Sequence, residues 1–297
     1  MTRLPAWSAW QPLAGVAAVE TRVLAETLDG GQAFRWQRGP DGVWLGVWAG
    51  CVARVRLDAN ERLEWSAPES LTPRVATALP DYFATARDFA ALADTLPWRS
   101  DAHLATCLAE FRGLRLLRQP FGETLLCFLC SATKQIVQIK QMLALLAARH
   151  GREIIPGVHA LPSWPALAAI PEAELRACQL GFRAKFIYQT ARYLAVDLGW
   201  LAETETLSYA AAKARLCALP GVGEKIADCV LLFGAGRLEA FPVDTWILQS
   251  LARRYGLAGW KPAQVAQFGR AHFGPFAGFA QQFLFAWERA QARGALT

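Results

Sequence analysis

The chain has 297 residues, 54% of them hydrophobic and 19% charged, with a formal net charge of +6. That is enough apolar material for one large core or two ordinary ones, which excludes a disordered polypeptide, and no apolar run approaches the roughly 18 residues that span a bilayer, which excludes a helical membrane protein. The positive balance favours a polyanionic partner, because Lys and Arg neutralise phosphates and release their counterions.

The first 25 residues carry acids as well as bases and lack the charged, apolar and small-residue order of a signal peptide, so an intracellular protein is expected. Residues 20 to 66 alternate apolar and polar positions in short runs broken by Gly30-Gly31, Gly39-Pro40-Asp41-Gly42 and Asp58-Ala59-Asn60. Val43 to Trp48 and Cys51 to Leu57 read as neighbouring antiparallel strands, since turns come too often for helical crossovers. From about Pro80 onward apolar residues recur at helical spacing, with loops at Ile155-Pro156-Gly157 and Leu161-Pro162-Ser163-Trp164-Pro165. Helices are expected over Leu125 to Ala148, Glu172 to Gln179, Ala184 to Val196 and Tyr209 to Ala218, the last ended by Pro220. The fold class is therefore α+β, an N-terminal antiparallel β-rich domain over residues 1–98 followed by an all-α domain over 99–297.

The seven cysteines, at positions 51, 107, 127, 130, 178, 217 and 229, are odd in number and mostly set in apolar helical stretches, so they read as free, core-packed thiols. Cys127 and Cys130 form a C-x-x-C around Phe128 and Leu129, but no second pair is placed to complete a tetrahedral metal site.

The most informative stretch is Leu219-Pro220-Gly221-Val222-Gly223-Glu224-Lys225-Ile226-Ala227-Asp228, between an Ala-rich helix and the apolar helix through Val230 to Phe233. Gly221 and Gly223 permit a tight reversal and leave backbone N–H groups open to a phosphate at the start of the second helix, while Leu219 and Val222 anchor the turn between the two helices. Lys225 lies in the first turn, where desolvation and the positive end of the helix dipole both disfavour an ammonium, which makes it a candidate amine nucleophile. Asp244, in Phe241-Pro242-Val243-Asp244-Thr245-Trp246, can cap the following apolar run with one oxygen and leave the other free. Taken singly, each has an ordinary reading: a helix-helix turn, a solvated lysine, a cap. Their combination favours a DNA-facing nucleophile with a carboxylate partner.

This hairpin, Lys225 and the Pro-Val-Asp ending at Asp244 resemble the helix-hairpin-helix-GPD superfamily of base-excision DNA glycosylases. More closely, the chain is similar to the 8-oxoguanine DNA glycosylase/AP lyase branch, through Gly31-Gln32-Ala33-Phe34-Arg35-Trp36, Gly113-Leu114-Arg115-Leu116-Leu117-Arg118-Gln119 and Leu180-Gly181-Phe182-Arg183-Ala184-Lys185. The resemblance implies a helical glycosylase domain in which Lys225 attacks the sugar's anomeric carbon, expels the base, forms an imine and permits β-elimination. Asp244 stabilises the positive charge that develops on the sugar. In the implied lesion pocket the Gly31 carbonyl accepts the ring N–H that distinguishes 8-oxoguanine from guanine. Gln281 reads the Watson-Crick edge of the flipped base, Phe285 stacks on it, and Cys229 stands on its opposite face. Gly221, Val222 and Gly223 grip the DNA backbone; Phe182 wedges into the gap left by extrusion and Arg183 faces the estranged base.

Thr133 and Gln138 stand where the animal form has an asparagine and an arginine at the partner cytosine, and Trp246 stands where it has a histidine, so no strict requirement for cytosine carries over. Thr133 and Gln138 are expected to line the DNA site. The implied partner is duplex DNA containing oxidised guanine, bound by a monomer without any membrane. No cofactor is required, the hairpin carbonyls hold a structural monovalent cation, and with no cysteine after Cys229 an iron-sulfur cluster is not expected. Two other readings stay open at this point. A monofunctional glycosylase for alkylated bases shares the fold but typically lacks the lysine, and a non-catalytic hairpin DNA-binding protein would be missing the lysine or the aspartate.

Overall fold

The computed structural model describes residues 5–294, so the outer ends of both expected domains, 1–4 and 295–297, lie outside it. Five strands, β1 Gln11–Pro12, β2 Trp36–Arg38, β3 Trp44–Trp48, β4 Cys51–Leu57 and β5 Leu63–Ser66, form an antiparallel sheet in the order β1-β5-β4-β3-β2. The alternation read from Cys51 to Leu57 is real. Val55 is fully buried, while the flanking Arg54 and Arg56 turn to the other face, where their guanidiniums stack on Trp7 and Trp10 at 3.8 and 4.1 Å. Inside, Trp36 stacks on Trp48 and donates its indole N–H to the Tyr82 hydroxyl at 3.0 Å, tying the sheet to the first helix beyond it.

Everything after the sheet is helical, apart from a short hairpin of Glu153–Ile155 and Val158–His159. The Pro156-Gly157 pair read as a loop is the turn of that hairpin. One continuous apolar core runs from Leu13 to Ala286, so sheet and helices share it.

Four other expectations need correction. Residues 21–29 form a helix within the stretch read as strands, because the buried Val23, Leu24, Thr27 and Leu28 repeat at helical spacing. Helix begins earlier than Pro80, at Thr72, where Pro73 sits in the first turn that tolerates it. The region from Glu172 ends in a distorted turn through Leu180 in which Gln179 has φ +62°. Most consequentially, Leu125 to Ala148 is two helices, Phe121–Leu129 and Ile136–His150, separated by the polar run Ser131-Ala132-Thr133-Lys134-Gln135. Thr133 has φ +55°, which no helix accommodates, and Gln138 Oε1 accepts the Gln135 backbone N–H at 3.3 Å to start the second helix.

The cysteines are unpaired thiols, buried except for the half-buried Cys217. Among the described residues no helix is long and apolar enough to cross a membrane, and no cluster of His, Cys, Asp and Glu could hold a metal ion.

Candidate active site

The hairpin is built as its sequence requires. Helices Tyr209–Cys217 and Glu224–Phe233 meet through Leu219-Pro220-Gly221-Val222-Gly223, with Leu219 and Val222 buried and both glycines exposed. Gly221 adopts φ +79°, and a Cβ there would lie 2.6 Å from the Phe186 ring, so both its backbone and its lack of a side chain are needed. Gly223 precedes the second helix, and no side chain caps that helix's first N–H groups. Behind the hairpin, the buried Asp228 carboxylate accepts from Lys213 at 3.0 Å and from the Tyr209 hydroxyl at 2.7 Å, which locks the two helices together.

Lys225, half-buried in the first turn of that helix, extends over the Phe128 ring, 5.2 Å from its centroid, and donates to Ser131 Oγ at 3.5 Å. Phe128 is held edge-on by Phe34 and stacked on Phe233, so the amine lies against an aromatic floor. Asp244 caps Thr245–Arg254 through the Ile247 N–H, at 2.9 Å, as its position before the apolar run predicts. Burial pushes its carboxyl above the ordinary carboxylate range, opposed by the Ile247 N–H and by the Lys225 charge. One helical turn beyond Lys225, burial raises the Cys229 thiol to about 12, so it is neutral at physiological pH.

These groups open onto a cleft of about 440 Å³ whose walls include Gly31, Lys225, Cys229, Asp244, Gln281 and Phe285. The matched motifs explain how distant segments reach it. Gln32, buried, donates to the Arg115 carbonyl at 2.9 Å and accepts the Leu117 N–H at 2.9 Å, while Gln119 donates back to the Gln32 carbonyl at 2.5 Å. Two of the short sequence motifs are thus zipped together, and Gly31 is held at the pocket edge with φ +104°. Arg289 donates to the Gly30 carbonyl at 2.6 Å and secures the same turn from the C-terminal helix. Gln281 is buried, its side-chain N–H donating to the Pro242 carbonyl at 3.2 Å.

One expected DNA contact, Arg183, is placed differently. Thr133 and Gln138 are exposed but do not line the cleft: Thr133 sits at the bend of the interhelical loop, and the Gln138 carboxamide caps a helix. Phe182 is 51% exposed, as a wedge must be, yet Arg183 beside it is 2% exposed. Instead of facing outward, Arg183 donates to the carbonyls of Ala132 and Leu180 and to Thr133 Oγ1, because the distorted turn at Gln179-Gly181 directs it under the loop. Ser131, Gln282, Phe34 and Phe128 also line or support the cleft, and none of them was singled out from the sequence. For Ser131 the signal was there: five consecutive residues without a large apolar side chain inside an otherwise helical pattern.

Residues 16–125 match the family described as 8-oxoguanine DNA glycosylase, N-terminal domain. The chain is 31% identical to the N-glycosylase/DNA lyase OGG1 of Arabidopsis thaliana over 277 residues, covering 87% of this chain and 75% of that protein. In three dimensions it is similar to MBOgg1 in complex with a low-affinity DNA ligand, with TM-score 0.86 and 29% identity, covering 96% of this chain and 100% of that one. It is also similar to the Clostridium acetobutylicum 8-oxoguanine glycosylase/lyase in complex with double-stranded DNA containing cytosine opposite 8-oxoG, with TM-score 0.84 and 26% identity, covering 96% and 99%. Sheet, hairpin, cleft and these likenesses agree: the chain belongs to the 8-oxoguanine DNA glycosylase/lyase family.

Proposed function

We propose that this chain excises 8-oxoguanine from duplex DNA and then cleaves the abasic strand, with Lys225 as nucleophile and Asp244 as its carboxylate partner. The observation that carries the reading is the convergence of Lys225, Asp244, Gly31, Gln281, Phe285 and Cys229 on one cleft, from segments spread over most of the chain.

The base must be extruded, because neither the glycosidic bond nor the lesion can be engaged inside a stacked duplex. In the cleft, Phe285 and Cys229 sandwich the base, the Gly31 carbonyl accepts its ring N–H, and Gln281 reads its Watson-Crick edge. The Lys225 amine forms a bond to the anomeric carbon as the glycosidic bond breaks and the base departs with its electron pair. Asp244 stabilises the positive charge on the sugar and takes up an amine proton. The sugar ring then opens as its oxygen leaves the anomeric carbon and takes the proton held by Asp244, and the open-chain imine so formed acidifies the neighbouring sugar carbon, whose proton is lost as the 3′ phosphate leaves.

Gly221, Val222 and Gly223 hold the backbone and Phe182 fills the gap in the stack. Because Thr133 and Gln138 stand where the animal form has the asparagine and arginine that meet the partner cytosine, we assign the chain a loose choice of the base opposite the lesion. The turn 219–223 offers backbone carbonyls and no acidic side chain of its own, Glu224 following it, a donor set suited to a monovalent cation, and the Pro220 carbonyl there is steadied by the Thr190 hydroxyl at 3.2 Å. All residues assigned to the cleft come from a single chain, which supports a monomer as the acting unit.

Borohydride added to protein and an 8-oxoguanine duplex tests the mechanism. A covalent adduct is expected from the wild type, with none from Lys225→Gln, which still binds the lesion. Base release without any trapped adduct would rule the imine out. A cleavage panel with each of the four bases opposite the lesion reads the partner preference.

A further inference from the structure

Lys225 meets the Cys229 thiol on its own helix and, across the cleft, the Ser131 hydroxyl, which sits on the interhelical loop rather than on the hairpin. Ser131 Oγ donates to the Phe128 carbonyl at 2.7 Å, so its lone pairs are what it presents to the amine at 3.5 Å. The hydroxyl therefore orients one amine N–H and restricts the nitrogen lone pair to the two remaining staggered positions.

The loop that carries Ser131 is tied internally by the Ser131 N–H, which donates to the Phe128 carbonyl at 3.0 Å, and by the Lys134 N–H, which donates to the Ser131 carbonyl at 3.2 Å. It spans 130–135, Thr133 is in the left-handed region, and Thr133, Lys134 and Gln135 are exposed. The external support is Arg183. Its Nε and Nη2 both donate to the Ala132 carbonyl, Nη2 also donates to Thr133 Oγ1 at 2.9 Å, and Nη1 donates to the Leu180 carbonyl at 3.2 Å. Fork geometry of this kind fixes a carbonyl more rigidly than a single bond would. Over the guanidinium lies the exposed Phe182 ring, at 4.4 Å.

We propose that Arg183 is a positioning residue for Lys225: by clamping the 130–135 loop through Ala132 and Thr133 it holds the Ser131 hydroxyl against the amine, and so couples the Phe182 face to the nucleophile. This rests on reading Lys225 as the nucleophile. It assigns Arg183 a different job from reading the partner base, and the two jobs separate on a substrate that has no partner base.

The experiment is single-turnover imine formation, trapped with borohydride at saturating protein, on an abasic site in single-stranded DNA and on the same site in duplex. Arg183→Met is expected to lower the saturating rate about tenfold or more on both substrates, the scale of a small misplacement of a reacting group, with little change in DNA affinity. Ser131→Ala is expected to show the same loss, the double variant no more than the larger single loss, and Arg183→Lys a partial recovery. A defect of Arg183→Met confined to duplex, or additive with Ser131→Ala, would overturn the proposal. If Arg183→Met does not fold, Thr133→Val deletes one contact on an exposed loop. A smaller fall in the same rate supports the clamp, and an unchanged rate overturns it. Absence of adduct from the wild type would instead remove the assignment of Lys225, and this inference with it.

Discussion

Gln282 donates its side-chain amide to Oε1 of its neighbour Gln281 at 2.6 Å, and both residues are buried at the cleft. With Gln281 Nε2 committed to the Pro242 carbonyl, the Gln281 carboxamide is held in one orientation, and each of its polar atoms keeps one further hydrogen-bonding position for a base. Gln282→Met removes the orienting donor while preserving bulk. Base excision from an 8-oxoguanine duplex is expected to slow by about 5- to 10-fold, the worth of roughly 1 kcal/mol of hydrogen bond. Cleavage of a preformed abasic site should be unchanged, since no base remains to be read. Parallel rates on the two substrates check this, and equal losses on both would contradict it.

Asp244 supplies a pH signature. Its carboxyl is raised first by burial, against the opposing pull of the Ile247 N–H and the Lys225 charge. In the role proposed for Asp244 the ionised form stabilises a cationic sugar, so activity is expected to fall as pH drops through this raised value, with the acid limb lying above the ordinary carboxylate range. For stability the sign is opposite. The folded chain holds the Asp244 proton more tightly than the unfolded chain does, so ionisation costs stability once pH exceeds the unfolded value. Asp244→Asn keeps a good cap and is expected to lose about 100-fold or more in excision, while its melting temperature gains on the wild type as pH rises across that window. Rate profiles and melts over the same pH series measure both.

What was legible in the sequence was local. Lys225 and Asp244 could be placed because a helix start and a cap are set by their immediate neighbours, and the Cys51 to Leu57 strand because alternation is a property of a few residues. The Gly31 and Gln119 segments were recognisable as motifs, but the knot that Gln32 makes between them belongs to the tertiary structure. The break at 130–135, and Ser131 with it, was marked by five residues without a large apolar side chain, but helical periodicity on both sides outweighed that signal. The Arg183 contact was missed for a related reason: an arginine at a helix start reads as exposed, and only the left-handed turn at Gln179 and Gly181 directs it inward.

Gly31→Ala isolates the pocket edge. Its φ of +104° strains an L-residue, and a Cβ would lie 3.1 Å from Ile136 Cδ1 and 3.6 Å from the Phe285 ring. A cost of about 1–3 kcal/mol in stability is expected from the backbone. The methyl also intrudes where the base would lie, so excision of 8-oxoguanine should fall further than cleavage of an abasic site. Denaturant unfolding gives the first quantity and the paired rates the second; a variant as stable and active as wild type would mean that the turn relaxes.

The buried pair behind the hairpin predicts a pH-dependent loss of stability. Asp228 is 1% exposed, its carboxyl is raised by burial, and the nearby Lys213 charge is the strongest influence pulling it back. Lys213→Met leaves that carboxylate with the Tyr209 hydroxyl and the more distant Arg270, too little compensation for a buried charge, and is expected to cost about 3–5 kcal/mol at neutral pH. Without Lys213 the carboxyl rises further, so the folded variant binds its proton more readily than the unfolded chain. Its deficit relative to wild type should therefore shrink as pH falls and Asp228 protonates. Adding Asp228→Leu to Lys213→Met is expected to recover much of the stability, because no unpaired charge is then buried. Since this pair joins the two hairpin helices, a Lys213→Met protein that is folded at acidic pH should still show weakened DNA binding at the hairpin. A deficit independent of pH would assign the loss to packing of the lysine stem instead of to the charge on Asp228.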